Sequence, residues 1–241
     1  MTMAMFDVVP AFETRKRVVT FLLVVLFLVV SNSMAFAKCR DRPGAEVDWS
    51  NCSKERLILG GQNLSGGNFE GAFLSGSGMQ EANLAGANLQ LSEIVRTSFV
   101  MSNLMGANLE KALASRADFS GANLVNARLV KAEFLRVKFV GANMTGANLA
   151  KGDFYRNDFS GARLAGTDMS GAIMPRSVFL GADMTGANLT GAFVLRSRFE
   201  GVDLRQVVGL SQTQLDQACG DDDTKLPEGL TKPANWPCNE D

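Results

Sequence analysis

The sequence predicts an all-β solenoid, a coil of square cross-section with one five-residue unit per side, and two periods in the sequence predict it. The first is an apolar residue every five positions. From Leu64 through Phe69, Leu74 and Met79 to Leu204, all 29 such centres are apolar, and Ala114 alone is not bulky. Two residues before each centre the side chain is small at 27 of 29 positions, the exceptions being Gln62 and Asn157. The second period is twenty residues in the same register: Phe99, Phe119, Phe139, Phe159, Phe179 and Phe199.

A period of five fits neither a helix nor a plainly alternating strand. It fits a coil in which each pentad points one large and one small residue inward and turns the corner with its polar remainder. Repetition at fixed period is the mark of a solenoid, in which each unit stacks only on its neighbours. Four pentads per turn bring the phenylalanines into one ladder with rungs about 4.8 Å apart, and seven coils or so give a cylinder roughly 35 Å long. Alternating large and small inward residues fill the bore and leave no room for a small-molecule substrate. Pro175, directly after the inward Met174, marks a candidate change of turn.

The runs Gly-Ala-Asn-Leu at 106–109, 121–124, 146–149 and 186–189, with Gly-Ala-Asp-Met at 181–184, resemble the A(D/N)LXX motif of pentapeptide-repeat proteins over residues 60–206. The resemblance implies a right-handed quadrilateral β-helix and implies little about function. The best-known members of that family mimic DNA and protect gyrase, using an acidic surface and dimerisation. Residues 60–208 of this chain carry 14 basic and 12 acidic side chains, a poor imitation of a polyanion.

The remaining segments divide into an export signal (1–37), an N-terminal cap (38–59), the repeat array (60–208) and a C-terminal cap (209–241). Arg15, Lys16 and Arg17 precede an apolar stretch from Val18 to Val30, and Ala35-Phe36-Ala37 supplies the expected cleavage site. That stretch is short for a membrane span, which needs about 20 residues. A periplasmic or secreted destination is therefore expected, with an inner-membrane anchor through an uncleaved signal as the alternative. Cys39, Cys52, Cys219 and Cys238 survive cleavage, and an even number in an exported chain points to disulfides. Local pairing, Cys39 with Cys52 and Cys219 with Cys238, is favoured because the two clusters flank opposite ends of a long array.

Both caps are expected to cover strand edges that would otherwise invite association. Trp49 reads as a plug on the first coil. Ser211-Gln212-Thr213-Gln214 has capping-box spacing, so a short helix is predicted from there to about Cys219, followed by an irregular tail with Pro227, Pro233, Trp236 and Pro237.

No catalytic, cofactor or metal residues are assigned. The chain has no histidine, the commonest near-neutral acid/base and metal ligand. Asp221, Asp222 and Asp223 lack the alternating spacing of a calcium loop and read as a solvated turn. Removing residues 1–37 takes away three basic and two acidic groups, which leaves 21 against 23 and predicts no bulk attraction to nucleic acid or an anionic membrane. One surface pattern stands out. Arg96, Arg116, Arg136, Arg156, Arg176 and Arg196 recur every twenty residues at outward positions, an arrangement suited to an anion such as a phosphorylated glycolipid, an acidic polysaccharide or a carboxylate-rich protein. Glu93, Glu133, Asp153, Asp118 and Asp158 lie close enough in sequence to offset some of that charge. The expected function is a non-catalytic scaffold or binding module of the cell envelope, partnered by an envelope protein or an anionic glycan or lipid. The alternatives are an uncharacterised enzyme, a purely structural spacer, or a harmlessly duplicated arginine.

Overall fold

Every pentad meets the same backbone problem, and the unit centred on Phe159 shows how. The Phe159 and Gly161 amides donate to Val178 O (2.7 Å) and Leu180 O (2.8 Å) in the next coil, and Asp158 N donates to Val137 O (3.0 Å) in the preceding one. Ala162 N closes the corner on Phe159 O at 3.0 Å. In that turn Gly161 holds φ at 64°, the left-handed region that glycine enters without steric cost. Only the Ser160 amide is left over, and Asp158 Oδ1 accepts it at 3.0 Å. An Asn or Asp before the centre can thus satisfy the one corner donor that the ladder omits. Asn123, Asn148 and Asp168 do the same for Val125, Ala150 and Ser170. Pro175 follows its centre as Ser160 follows Phe159, where no ladder donor is needed, and its carbonyl accepts Arg156 N at 3.0 Å. The coil continues through it unchanged.

The computed structural model describes residues 38–238. The expected export signal lies outside them, and the unit Asp41–Asp241 holds the fold. Parallel pairing links each residue before a centre to the one twenty positions on, as in Asp48↔Asn68, Asn68↔Asn88 and so on to Asn188↔Val208. Among the described residues, continuous strands form only as β1 (Leu113–Ser115) and β2 (Glu133–Leu135), paired in register with Ala114 against Phe134. Asparagine side chains add a second ladder outside the first: Asn83 Nδ2 donates to Asn63 Oδ1 (3.2 Å), Asn103 to Asn83 (3.0 Å) and Asn123 to Asn103 (3.1 Å).

Inside, the predicted aromatic ladder is present. Phe99, Phe119, Phe139, Phe159, Phe179 and Phe199 stack with centroids 4.6 to 5.2 Å apart and are fully buried. Phe134 and Phe154 widen the stack on the adjoining side, where Phe134 lies 5.9 Å from Phe119 and Phe154 lies 6.4 Å from Phe159. The small inward column also has a polar logic. Ser177 Oγ accepts Asn157 N (3.2 Å) and donates to Phe154 O (2.7 Å), so one hydroxyl ties two coils together. Asn157, the large exception in that column, accepts Val137 N through Oδ1 at 2.7 Å, but its Nδ2 is buried without a partner. A serine there can make both bonds that Ser177 makes. We expect Asn157→Ser to stabilise the fold by about 1 kcal/mol, the scale of one relieved buried donor, read as a higher urea midpoint at unchanged m-value.

The ends depart from the sequence reading in detail. Regular pairing starts at Asp48, inside the segment 38–59 expected to be a cap. Trp49 takes the inward position of the first coil, edge-on to Phe69 at 5.9 Å, with Nε1 donating to Asp41 O. Lys54, at what would be the next centre, lies over the Trp49 ring at 4.0 Å, and partial burial lowers its pKa against the opposing pull of Asp41. This one lysine hides the extra coil from an apolar count. At the other end α1 (Gln212–Gln217) carries the predicted capping box on Ser211 and Gln214, but stops two residues short of Cys219. The chain then returns to the ladder in shifted register, Arg198↔Cys219 and Asp203↔Lys225, so the cap completes the last coil. Leu215 and Trp236 are buried there, and Trp236 Nε1 donates to Ala218 O at 2.8 Å.

Candidate functional site

The four-sided coil sorts the surface into four faces, and one differs from the rest. Its paired column holds residues 53, 73, 93, 113, 133, 153, 173 and 193, and it is bounded by two corner columns, 51 to 191 and 56 to 196 in steps of twenty. The six arginines singled out from the sequence, Arg96, Arg116, Arg136, Arg156, Arg176 and Arg196, form the second corner, all exposed. Their amides each donate one coil onward, as Arg116 N does to Leu135 O and Arg136 N to Tyr155 O. Successive guanidinium stems are therefore one rung apart, about 4.8 Å.

The structure adds residues the sequence reading missed. Arg56 extends the arginine corner at the N-terminal side, beyond the point where the apolar series was taken to begin. Lys111, Lys131 and Lys151 form the opposite corner of the same face, again twenty residues apart. Between residues 60 and 208, nine of the 14 basic side chains stand on these two corners, and three of the 12 carboxylates, Glu93, Glu133 and Asp153, stand on the paired column between them. The other three faces share five basic and nine acidic groups. A nearly neutral total thus conceals one cationic face and an acidic remainder. On that remainder, hydrogen bonds from Thr185 hold Asp183 below the ordinary carboxylate range, and those from Arg205 bring Asp203 down to about 2.

These cations occupy strained backbone. Thirty-two corner residues between Glu46 and Gly201 have positive φ, and sixteen of them are glycine. On the two corners of the cationic face only four of sixteen are glycine, against twelve of sixteen on the other two. A side chain in the left-handed region costs roughly 1–2 kcal/mol per residue. The chain accepts that cost mainly where it places Arg or Lys, with φ from 55° to 60° along both columns. Strain retained in this way clusters at functional positions.

The neighbouring carboxylates do not neutralise the column as their sequence spacing suggested. Among the described residues Arg96, Arg116, Arg136, Arg156 and Arg176 form no ion pair. Asp158 instead holds the amide and hydroxyl of Ser160, Asp118 holds Ser120 and approaches Lys138, and Glu93 accepts Ser75 Oγ. Arg156 lies 5.3 Å over the ring of its neighbour Tyr155.

The cationic face is also the most apolar. Of the twelve large hydrophobic side chains exposed among the described residues, seven are on it: Phe73, Leu91, Leu113, Leu135, Ile173, Phe193 and Leu195, each 40 to 50% exposed. The Asp221–Asp223 turn belongs to the cap. Asp221 Oδ1 gathers the amides of Gly201, Asp223 and Thr224, which lower its pKa, and Asp222 pairs with Lys232. Among the described residues no group of three or more His, Cys, Asp or Glu could hold a metal ion.

In sequence, the chain matches the family described as Pentapeptide repeats, in eight copies over residues 59–92, 102–139, 138–176 and 176–206. It belongs to the pentapeptide-repeat family. No curated protein sequence matches it significantly. Among solved structures it is similar to a trypsin-treated variant of QnrB1, a plasmid-mediated fluoroquinolone resistance protein, with TM-score 0.62, 18% identity, and 73% of this chain and 89% of that one covered. It also matches HetL, a pentapeptide-repeat protein involved in heterocyst differentiation regulation from the cyanobacterium Nostoc, at TM-score 0.31, 20% identity, and coverage of 80% and 87%. The likeness to QnrB1 is one of fold, the right-handed quadrilateral β-helix. The cysteines fit an oxidising compartment: Cys219 is bonded to Cys238, Cys39 and Cys52 are also disulfide-bonded, and none is free. No helix of the described residues is long and apolar enough to cross a membrane.

Proposed function

We propose that this pentapeptide-repeat protein is a non-catalytic binding scaffold, exported through residues 1–37 to the periplasm or the medium, that docks an anionic partner on its cationic face. The observation that carries the reading is the segregation of nine Arg and Lys side chains onto two strained corners of one face. A duplicated unit would copy an arginine without regard to backbone cost. Here the cost is taken on both edges of one face and largely avoided on the other two corners. Gyrase protection by polyanion mimicry is disfavoured by the same charge, and a spacer has no use for it. Pentapeptide-repeat proteins are generally structural or binding proteins, and the buried aromatic stack leaves the interior closed to a substrate.

The test exploits glycine, which the chain itself places in the arginine column at Gly76. Replacing Arg116, Arg136, Arg156 and Arg176 together by glycine removes four charges and four strained side chains. The parent should elute from a dextran sulfate column at high salt and the variant near the void, while the unfolding midpoint stays level or rises. Equal elution salt would sink the anionic-partner reading. A lower midpoint would show the column to be structural.

A further inference from the structure

We infer that the anionic partner is a lipid surface, which the C-terminal part of the cationic face meets through apolar side chains set between charged edges. The inference rests on the anionic-face reading above and adds the chemistry of what is bound. Ile173 and Phe193 are paired directly across adjacent coils, and Arg176 N donates to Leu195 O, so Ile173, Pro175, Phe193 and Leu195 form one contiguous apolar patch on two neighbouring rungs. Both rungs, residues 171–176 and 191–196, are free of carboxylates and end in Arg176 and Arg196. Leu135 and Tyr155 carry the apolar column toward the middle of the face, each followed by an arginine.

A soluble polyanion asks for charge alone and gives no reason to expose Phe, Leu and Ile beside it. A bilayer interface asks for both: a flat apolar strip to enter the headgroup–acyl boundary, and long cationic side chains beside it to reach phosphates. That layout is the one an interfacial amphipathic helix presents, here built on a β-helix face. Glu133 and Asp153 interrupt the strip farther toward the N-terminus, which confines contact to the last coils.

Vesicle co-sedimentation of the chain as recovered from the producing cell tests this. Vesicles containing phosphatidylglycerol should bind it, and pure phosphatidylcholine vesicles should bind it far less. Arg156→Gly with Arg176→Gly should weaken the phosphatidylglycerol partition about 25-fold, since one basic residue at such a surface contributes about fivefold. Ile173→Ser, Phe193→Ser and Leu195→Ser together should weaken it at least about tenfold through lost apolar burial, yet leave dextran sulfate binding at the parent level, which also shows that the variant is folded. An apolar variant that partitions like the parent overturns the inference. So does a parent that binds dextran sulfate and ignores both vesicles, in which case the anionic-face reading survives alone. A parent that binds neither ends both.

Discussion

Phe159→Ala is expected to destabilise the protein by about 3–5 kcal/mol, the cost of emptying a fully buried aromatic site whose surroundings cannot close. The Phe159 ring stacks on Phe139 and on Phe179 at 5.0 Å in both directions, so its removal breaks two interfaces. Neighbouring coils cannot collapse into the gap, because the Asp158, Phe159 and Gly161 amides hold this rung to the coils on both sides. In a solenoid, stability is close to a sum of unit and nearest-neighbour terms, and a lost interface in mid-array weakens the coupling between halves. The variant should therefore show a lower urea midpoint, and a broadened transition if the halves begin to melt apart. The same substitution at the end of the stack, Phe199→Ala, breaks one aromatic contact and should cost less. Equal losses at both positions would mean that burial alone, and not stacking between coils, sets the stability of the ladder.

The interior was legible in the sequence because the bore is too narrow to allow variation. A centre must be large and the residue two before it small, and from that alternation the period, the coil and the phenylalanine ladder follow. Asn157 and Lys54 broke the pattern for physical reasons that only coordinates display: one spans two coils with an amide, the other lies across a tryptophan. The candidate face was legible only along one edge. Arg96 to Arg196 could be aligned by counting in twenties, but Lys111, Lys131 and Lys151 are too few to stand out from background. Their membership of the same face depends on knowing which corners bound it. Backbone strain was hidden altogether, since an arginine at φ 55° and one in extended backbone look alike in sequence. Net charge is uninformative about the face for a related reason. Summed over the chain it speaks only to bulk attraction, whereas the coil separates the signs onto different faces.

Replacing Cys219 and Cys238 together by serine is expected to cost about 3 kcal/mol, from the entropy that a bond closing a loop of this length removes from the unfolded chain. The bond joins residues 19 apart, and the loop that it closes carries the cap's last ladder partners, Cys219 and Lys225. Cys219 O accepts Phe199 N at 2.8 Å and Lys225 O accepts Leu204 N at 2.8 Å, so the cap supplies the last coil's missing strand partners. Trp236 sits against Gly220 so closely that a Cβ there would fall 2.3 Å from the ring. Without the disulfide, the loss of Trp236 need not wait for global unfolding. The cap should open first and leave Phe199 and Leu204 at a raw strand edge, a site for edge-to-edge association. The two tryptophans report the two ends separately. In a Trp49→Phe background, Trp236 emission should shift at a lower urea concentration than the far-ultraviolet dichroism of the coil, and size-exclusion should show oligomers over the same range. Coincident transitions and a monomer throughout would mean that the cap is held by its hydrogen bonds alone, with the disulfide adding nothing the ladder does not already provide.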